Sequence, residues 1–389
     1  MTDNQPELSR WALGREAFAT AQTIPSDWLR SRAVRQMFQV LPPDCVPAAL
    51  ALARSFASPT LRARTLLAVS RAAPAADQPA LLAEVQAIIP AIPEAVGQVE
   101  ALGVLAGRLS GAAQTAAALA ALARAPEIVG DSERGWRVVE LLPNLPPEGR
   151  TAAVQLLRAL TDLSTRQPTL AEAAQFLPEA EQAALLAEAL AEARAIEDGE
   201  TRARALAEML GALPDAERAA AADEALAVVD GAADPTLWAR AVLWTAAALP
   251  PEAGAAAYPL ALALPDGEAR AEAVGALAKA APEAERPARL AEALAIAAAV
   301  EDDWGRAFAV GRLVSALGPA LHAPALAAAR AIGDAWARAD LLTDLAALLP
   351  PEPKAGVLVE ALAAARACPQ PWARARALTG VAAQWPSGQ

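Results

Sequence analysis

The chain has 389 residues, 45 acidic against 33 basic side chains, a net charge of −12 and 55% hydrophobic residues, yet only 4% aromatic ones. Alanine and leucine supply most of the apolar content and β-branched residues are few, which excludes an all-β or α/β chain. The acid excess argues against a nucleic-acid surface, which needs a basic footprint, and the longest uncharged apolar stretch, 15 residues from Leu109 to Ala123, is too short to span a membrane.

The start, Met1 to Glu7, has neither a basic nor an apolar region of the kind a signal peptide needs, so a cytoplasmic location is expected. The first helix is expected over Glu7 to Gln22, and from there a repeat runs through the chain. Related segments begin at Trp28, Glu200, Trp336 and Trp372, each with a proline 14 residues further on. Taking those residues as position zero, the frame extends to eleven: Trp28, Thr60, Val96, Ser132, Ser164, Glu200, Thr236, Glu268, Trp304, Trp336 and Trp372. Spacings are 32 or 36 residues, differing by about one helical turn, so helix faces stay aligned. Position +2 is arginine in nine of the eleven, with Gln98 and Trp238 as exceptions, and position +6 is apolar, as one buried helix face requires.

Asp recurs two residues before zero, at 162, 198, 234, 266, 302 and 334, where its carboxylate is suited to cap the helix that follows. A second, alanine-rich helix lies between these, for example Glu181 to Ile196 and Ala323 to Ile332. Each unit is therefore a first helix, a short turn bearing Asp, a second helix beginning near zero, and a loop bearing proline. About 22 helices are expected, forming one continuous α-solenoid over 1–389, with an N-terminal capping pair at 1–41 and a C-terminal capping helix and short tail at 372–389. Leu-Pro-Pro-acidic recurs at Leu41, Leu145, Leu249 and Leu349, with first prolines 104, 104 and 100 residues apart. Either a three-unit block was duplicated, or a common helix terminator recurs by chance.

The segment Asp266-Gly267-Glu268-Ala269-Arg270, with Asp234-Pro235-Thr236-Leu237 and Ser58-Pro59-Thr60-Leu61-Arg62, resembles the second half of a short bacterial HEAT-like repeat. That resemblance implies a right-handed array whose second helices line the concave side. It also implies a ladder of ion pairs between the turn Asp and the following Arg: Asp198 with Arg202, Asp266 with Arg270, Asp302 with Arg306, Asp334 with Arg338. It implies a scaffold and no reaction. Some HEAT-like proteins attach tetrapyrroles, which leaves a lyase or cofactor-handling role as an alternative, and an open array with exposed ends leaves self-assembly as another.

Chemistry is sparse. Neither lysine, Lys279 or Lys354, follows a glycine, so no phosphate loop exists; a single histidine excludes His-Glu-x-x-His. His322 is expected in a helix-linking loop, Gly318 to Pro324, without a catalytic role. Cys45 and Cys368 offer neither a disulfide framework nor a metal site. No cofactor is expected. Trp28, Trp304, Trp336 and Trp372 share position zero, which favours packing between units over a partner-binding stripe. Positions that repeat hold a fold, and positions that vary are free to carry specificity. Positions +4 and +8 vary most, one turn apart on one face. Trp136, Arg204, Arg240, Trp244, Phe308 and Arg312 there are the candidates for contact with a protein or peptide partner, since aromatics and arginine are enriched at interfaces.

Overall fold

The structure is a computed structural model that describes residues 8–229 and 235–386. Glu7 and Asp234, assigned above to a helix start and a cap, lie outside the described residues. Among the described residues there are 22 α-helices and no strand. The first six are α1 (Arg10–Gln22), α2 (Asp27–Gln36), α3 (Val46–Ser55), α4 (Pro59–Val69), α5 (Gln78–Ile88) and α6 (Ala95–Ala106). Next come α7 (Gly111–Arg124), α8 (Asp131–Leu141), α9 (Pro147–Arg158), α10 (Leu163–Ala174), α11 (Glu179–Arg194) and α12 (Gly199–Met209). Then follow α13 (Asp215–Val228), α14 (Pro235–Thr245), α15 (Pro251–Leu262), α16 (Gly267–Ala280) and α17 (Arg286–Ala298). The last five are α18 (Asp303–Leu313), α19 (Pro319–Arg330), α20 (Ala335–Ala346), α21 (Pro351–Ala367) and α22 (Pro371–Gln384).

All eleven zero positions are the second residue of an even-numbered helix. The fold is thus an all-α repeat of helix pairs. The reason each second helix starts where it does is chemical. The side chains of Asp162, Asp198, Asp266, Asp302 and Asp334 accept from a backbone N–H in the first turn of the helix that follows, as do Ser26 and Ser58 at the same frame position. Prolines stand at the start of α4, α9, α15, α21 and α22, where the missing N–H has no partner to lose.

Position +6 is fully buried at Val34, Leu66, Val138, Leu206, Val274, Val310 and Leu378. Leu102 is half-buried, and α6 places Leu105 inside instead. Position +3 is small and buried at Ala63, Ala203, Ala271, Ala339 and Ala375, which lets successive second helices approach closely. One helix start was misjudged from sequence. Residues 318 to 324 do not form a loop: α19 begins at Pro319, so His322 sits in its first turn, with Nε2 3.4 Å from the Leu317 carbonyl oxygen.

By their packing the helices fall into two compact units, one of residues 93–300 and one of residues 1–92 with 301–389. In the first, α6 to α17 follow one another as helix pairs. In the second, the two ends of the chain meet: α22 packs on α1, as α20 packs on α21, and also touches α2. The indole N–H of Trp385 donates to the Leu8 carbonyl at 3.0 Å. The ends that an open array would leave exposed therefore cover each other. Gly14 in α1 seats that helix on the turn after α2, because a Cβ there would collide with the backbone carbonyl oxygen of Val40.

Gly14→Ala should therefore destabilise the protein by about 1–3 kcal/mol. Gly254→Ala, with open space around the same added atom, should stabilise it by about 0.5–1 kcal/mol, the usual helix gain. Urea denaturation of the two variants checks this, and equal effects of the same sign would contradict the seating of α1.

Candidate functional site

The recurrent Arg at +2 shares one partner through most of the array, a backbone oxygen, to which some units add an acid, as Arg166 does with Glu192 and Arg30 with Asp27. Arg30, Arg62, Arg134, Arg166, Arg202, Arg270, Arg338 and Arg374 each donate to the carbonyl six residues earlier, at 2.6–3.4 Å. Those carbonyls belong to Ile24, Phe56, Ile128, Leu160, Ile196, Leu264, Ile332 and Cys368, whose side chains are all buried. The charged fork thus satisfies a carbonyl left without a helical donor at the end of each first helix. Arg306 donates to Glu301 and Ala331 carbonyls and pairs with Asp303 at 3.5 Å. The expected rungs Asp198–Arg202, Asp266–Arg270 and Asp334–Arg338 are therefore corrected: each of these Asp residues caps its own helix and each Arg holds the turn, and Asp302 likewise caps α18. Cys368 occupies the repeat's buried apolar position, and burial pushes its thiol up, which suits packing rather than reactivity.

A ladder does exist, one helix over. Arg54–Glu84, Arg158–Glu188, Arg194–Glu224, Arg330–Glu360 and Arg366–Glu16 join successive first helices at 2.6–2.9 Å. In every rung the Arg stands six residues before one zero position and the Glu twelve before another. Arg366–Glu16 obeys the same rule across the two chain ends, so α1 stands to α21 as any first helix stands to the one before it.

With the turn held, the variable positions face outward. Position +4 is exposed or half-buried in ten of eleven units, Pro168 being the exception, and so is +8, with Ala276 buried. The sequence candidates divide between the two units. In the 93–300 unit, Trp136 is exposed on α8, Arg204 pairs with Glu208 along α12, Arg240 of α14 reaches Glu200 at 2.9 Å, and Trp244 is half-buried. Phe308 and Arg312 share one cavity.

They line a cavity of about 360 Å³ between α18 and α20. Its walls are two columns at positions zero, +4 and +8: Trp304, Phe308 and Arg312 on one side, Trp336, Asp340 and Asp344 on the other. Trp304 and Phe308 remain 46% and 49% exposed, unusual for large rings. Trp304 and Trp336 stack with centroids 4.5 Å apart, and Trp336 meets Trp372 at 5.6 Å. Trp304, Trp336 and Trp372 thus pack between units, whereas Trp28 is 51% exposed, and Trp304 also presents a face to solvent. Arg312 lies over the Phe308 ring at 4.4 Å, and Arg376 over Trp336 at 5.0 Å. The indole N–H of Trp336 is shielded from solvent with no partner among the described residues.

Asp340 and Asp344 form no ion pair or side-chain hydrogen bond among the described residues. They keep open surface, yet the surrounding protein pushes both carboxyls up; Arg376 opposes this at Asp340, and Asp340 adds repulsion at Asp344. Sequence reasoning passed over this pair. The signal for it is two acids one turn apart in the most variable columns.

No family model and no curated protein matches the chain. One solved structure it is similar to is the crystal structure of Ton1535 from Thermococcus onnurineus NA1, which aligns over 86% of this chain and 94% of that one at 15% identity and a TM-score of 0.30.

Two predictions follow from the side-chain partners. In a double-mutant cycle, Asp334→Ala and Arg338→Ala should each cost about 1 kcal/mol or more. Their coupling should stay below about 0.5 kcal/mol, since they serve different backbone groups; a larger favourable coupling would restore the ion-pair ladder. The second concerns pH. A raised carboxyl weakens the fold while ionised, so Asp340→Asn and Asp344→Asn should raise the melting temperature at neutral pH, a gain that shrinks as pH falls through the raised value. Glu188 has the opposite sign: its bond to Arg158 holds it below the usual range. Glu188→Gln should lower the melting temperature, if only slightly, and that loss should vanish in acid.

Proposed function

We propose that this chain is a non-enzymatic scaffold of the HEAT-like kind that holds a protein or peptide partner, with the cavity between α18 and α20 as its contact point. The observation that carries this is a large, exposed ring at a position the repeat leaves free. Phe308 spends apolar area on solvent at +4, where α12 carries Arg204, and Trp304, at the recurring zero position, adds a second half-exposed ring to the same cavity. Rings beside arginine, in a concave and partly desolvated spot, are what hot spots of binding consist of. The carboxylates at 340 and 344 add directional chemistry to that wall.

The test separates binding from folding. Phe308→Ala should leave stability within about 1 kcal/mol, because half the ring is already in water, and should weaken the partner by about 2 kcal/mol or more. Leu206→Ala, at the buried +6 position, should cost about 2–5 kcal/mol of stability. Affinity capture from cells, compared between the wild-type chain and Phe308→Ala at matched folded fraction, reads the outcome. A captured protein lost with Phe308→Ala supports the proposal. Phe308→Ala destabilising as much as Leu206→Ala would assign the ring to the core, and a coloured small molecule in the bound fraction would overturn the plain scaffold.

A further inference from the structure

The cavity between α18 and α20 has a composition that narrows its occupant, if the scaffold reading of this face is right. Three features stand on separate observations. The first is size: about 360 Å³ lies at the low end of the range of pockets that enclose a small group. The second is the wall of rings, Trp304, Phe308 and Trp336, two of them about half exposed. The third is the pair Asp340 and Asp344, which line the same cavity and have no ion pair.

The chain itself shows how these rings are used. Arg312 lies over Phe308 and Arg376 over Trp336, both within cation–π distance. Guanidinium on ring is thus the contact this surface already makes on its flanks. Arg376 relieves Asp340 in part, but no cation lowers Asp344, and Arg312, on the facing wall, does not reach it. One acidic site next to exposed rings is therefore left without a counter-charge. Two like charges one turn apart on α20 weaken the helix they sit on.

We propose that this cavity takes the side chain of a basic residue, arginine or lysine, presented by a bound peptide, with its aliphatic stem and planar head against Trp304, Phe308 and Trp336 and its charge at Asp340 and Asp344. Rings provide contact area for the stem and the face for the cation, and the carboxylates provide the hydrogen-bond acceptors. A free carboxylate of a ligand would meet two like charges and is disfavoured. A purely apolar side chain would fill the ring wall and leave Asp344 desolvated without compensation.

The experiment uses the full chain as bait for a library of displayed linear peptides, followed by fluorescence anisotropy of synthetic copies of the enriched ones. The expected result is a recurrent Arg or Lys in the selected peptides. Replacing it by citrulline or norleucine should lower affinity tenfold or more, and Asp340→Asn with Asp344→Asn should lower affinity for the basic peptide by a similar factor while leaving the melting temperature no lower. Phe308→Ala, with Phe308→Leu as the milder variant, should abolish or weaken binding of every such peptide. Peptides that depend on Phe308 but carry no recurrent basic residue, or that bind the double Asn variant equally well, would overturn the basic side chain and leave the scaffold reading intact. Peptides whose binding ignores Phe308 and both Asp residues would overturn the contact point itself.

Discussion

The backbone carbonyl at the end of each first helix has lost its helical donor, and the structure depends on how that oxygen is satisfied. The arginine at +2 of the next helix reaches back six residues and donates to it, in Arg30 of the first unit and again in Arg374 of the last. A charged donor on a carbonyl next to buried Ile, Leu or Phe is a strong, geometrically narrow contact. It fixes the angle of the turn and, with the Asp or Ser cap two residues before zero, fixes where the second helix begins. Once that phase is set, everything else on the helix follows. Position +3 faces the neighbouring second helix and is mostly small, with Val99 and Gln167 as larger buried exceptions, +6 faces the core and is apolar, and +4 and +8 are mostly turned outward.

That outward face is where units differ, because nothing in the fold constrains it. In α12 it carries Arg204 and Glu208, which satisfy each other. In α18 and α20 it carries Phe308, Arg312, Asp340 and Asp344, which do not form such a closed set. The same constraint that makes the array regular thus leaves one surface free to become a site. The aromatic zero positions Trp304, Trp336 and Trp372 serve both sides of this division: they stack between units and, at Trp304, form part of the cavity wall.

The frame of the repeat was legible in the sequence because it rests on side-chain types at fixed spacing. The eleven zero positions, the Asp caps and the buried +6 face could all be read from residue letters. The partner of the recurrent arginine could not, since a backbone oxygen has no letter; the nearest acid, as at Asp198 beside Arg202, was the natural but mistaken partner. The outer ladder was legible in principle. Arg330 with Glu360 and Arg366 with Glu16 obey one offset, and that offset applied past Trp372 returns to Glu16 at the start of the chain. The seating of α1 on α22 is therefore written in the same frame as the internal joints. Asp340 and Asp344 lie in the columns that vary, but their meaning depends on Asp344 lacking a counter-charge and Asp340 having Arg376 alone, which only the packed neighbours reveal. His322 falls in α19 because Pro319 opens the helix, where proline is accepted, and Pro324 lies inside it without ending it.

The central claim is that frame position decides a residue's role: +2, +3 and +6 hold the fold, and +4 and +8 do not. A substitution scan of the whole chain, read by resistance to proteolysis, tests this directly. The account predicts intolerance that recurs at +2, +3 and +6 in unit after unit, with tolerance at +4 and +8, including Phe308, Arg312, Asp340 and Asp344. Intolerance at those four positions equal to that at Leu206 or Val310, or tolerance at the +2 arginines, would contradict it.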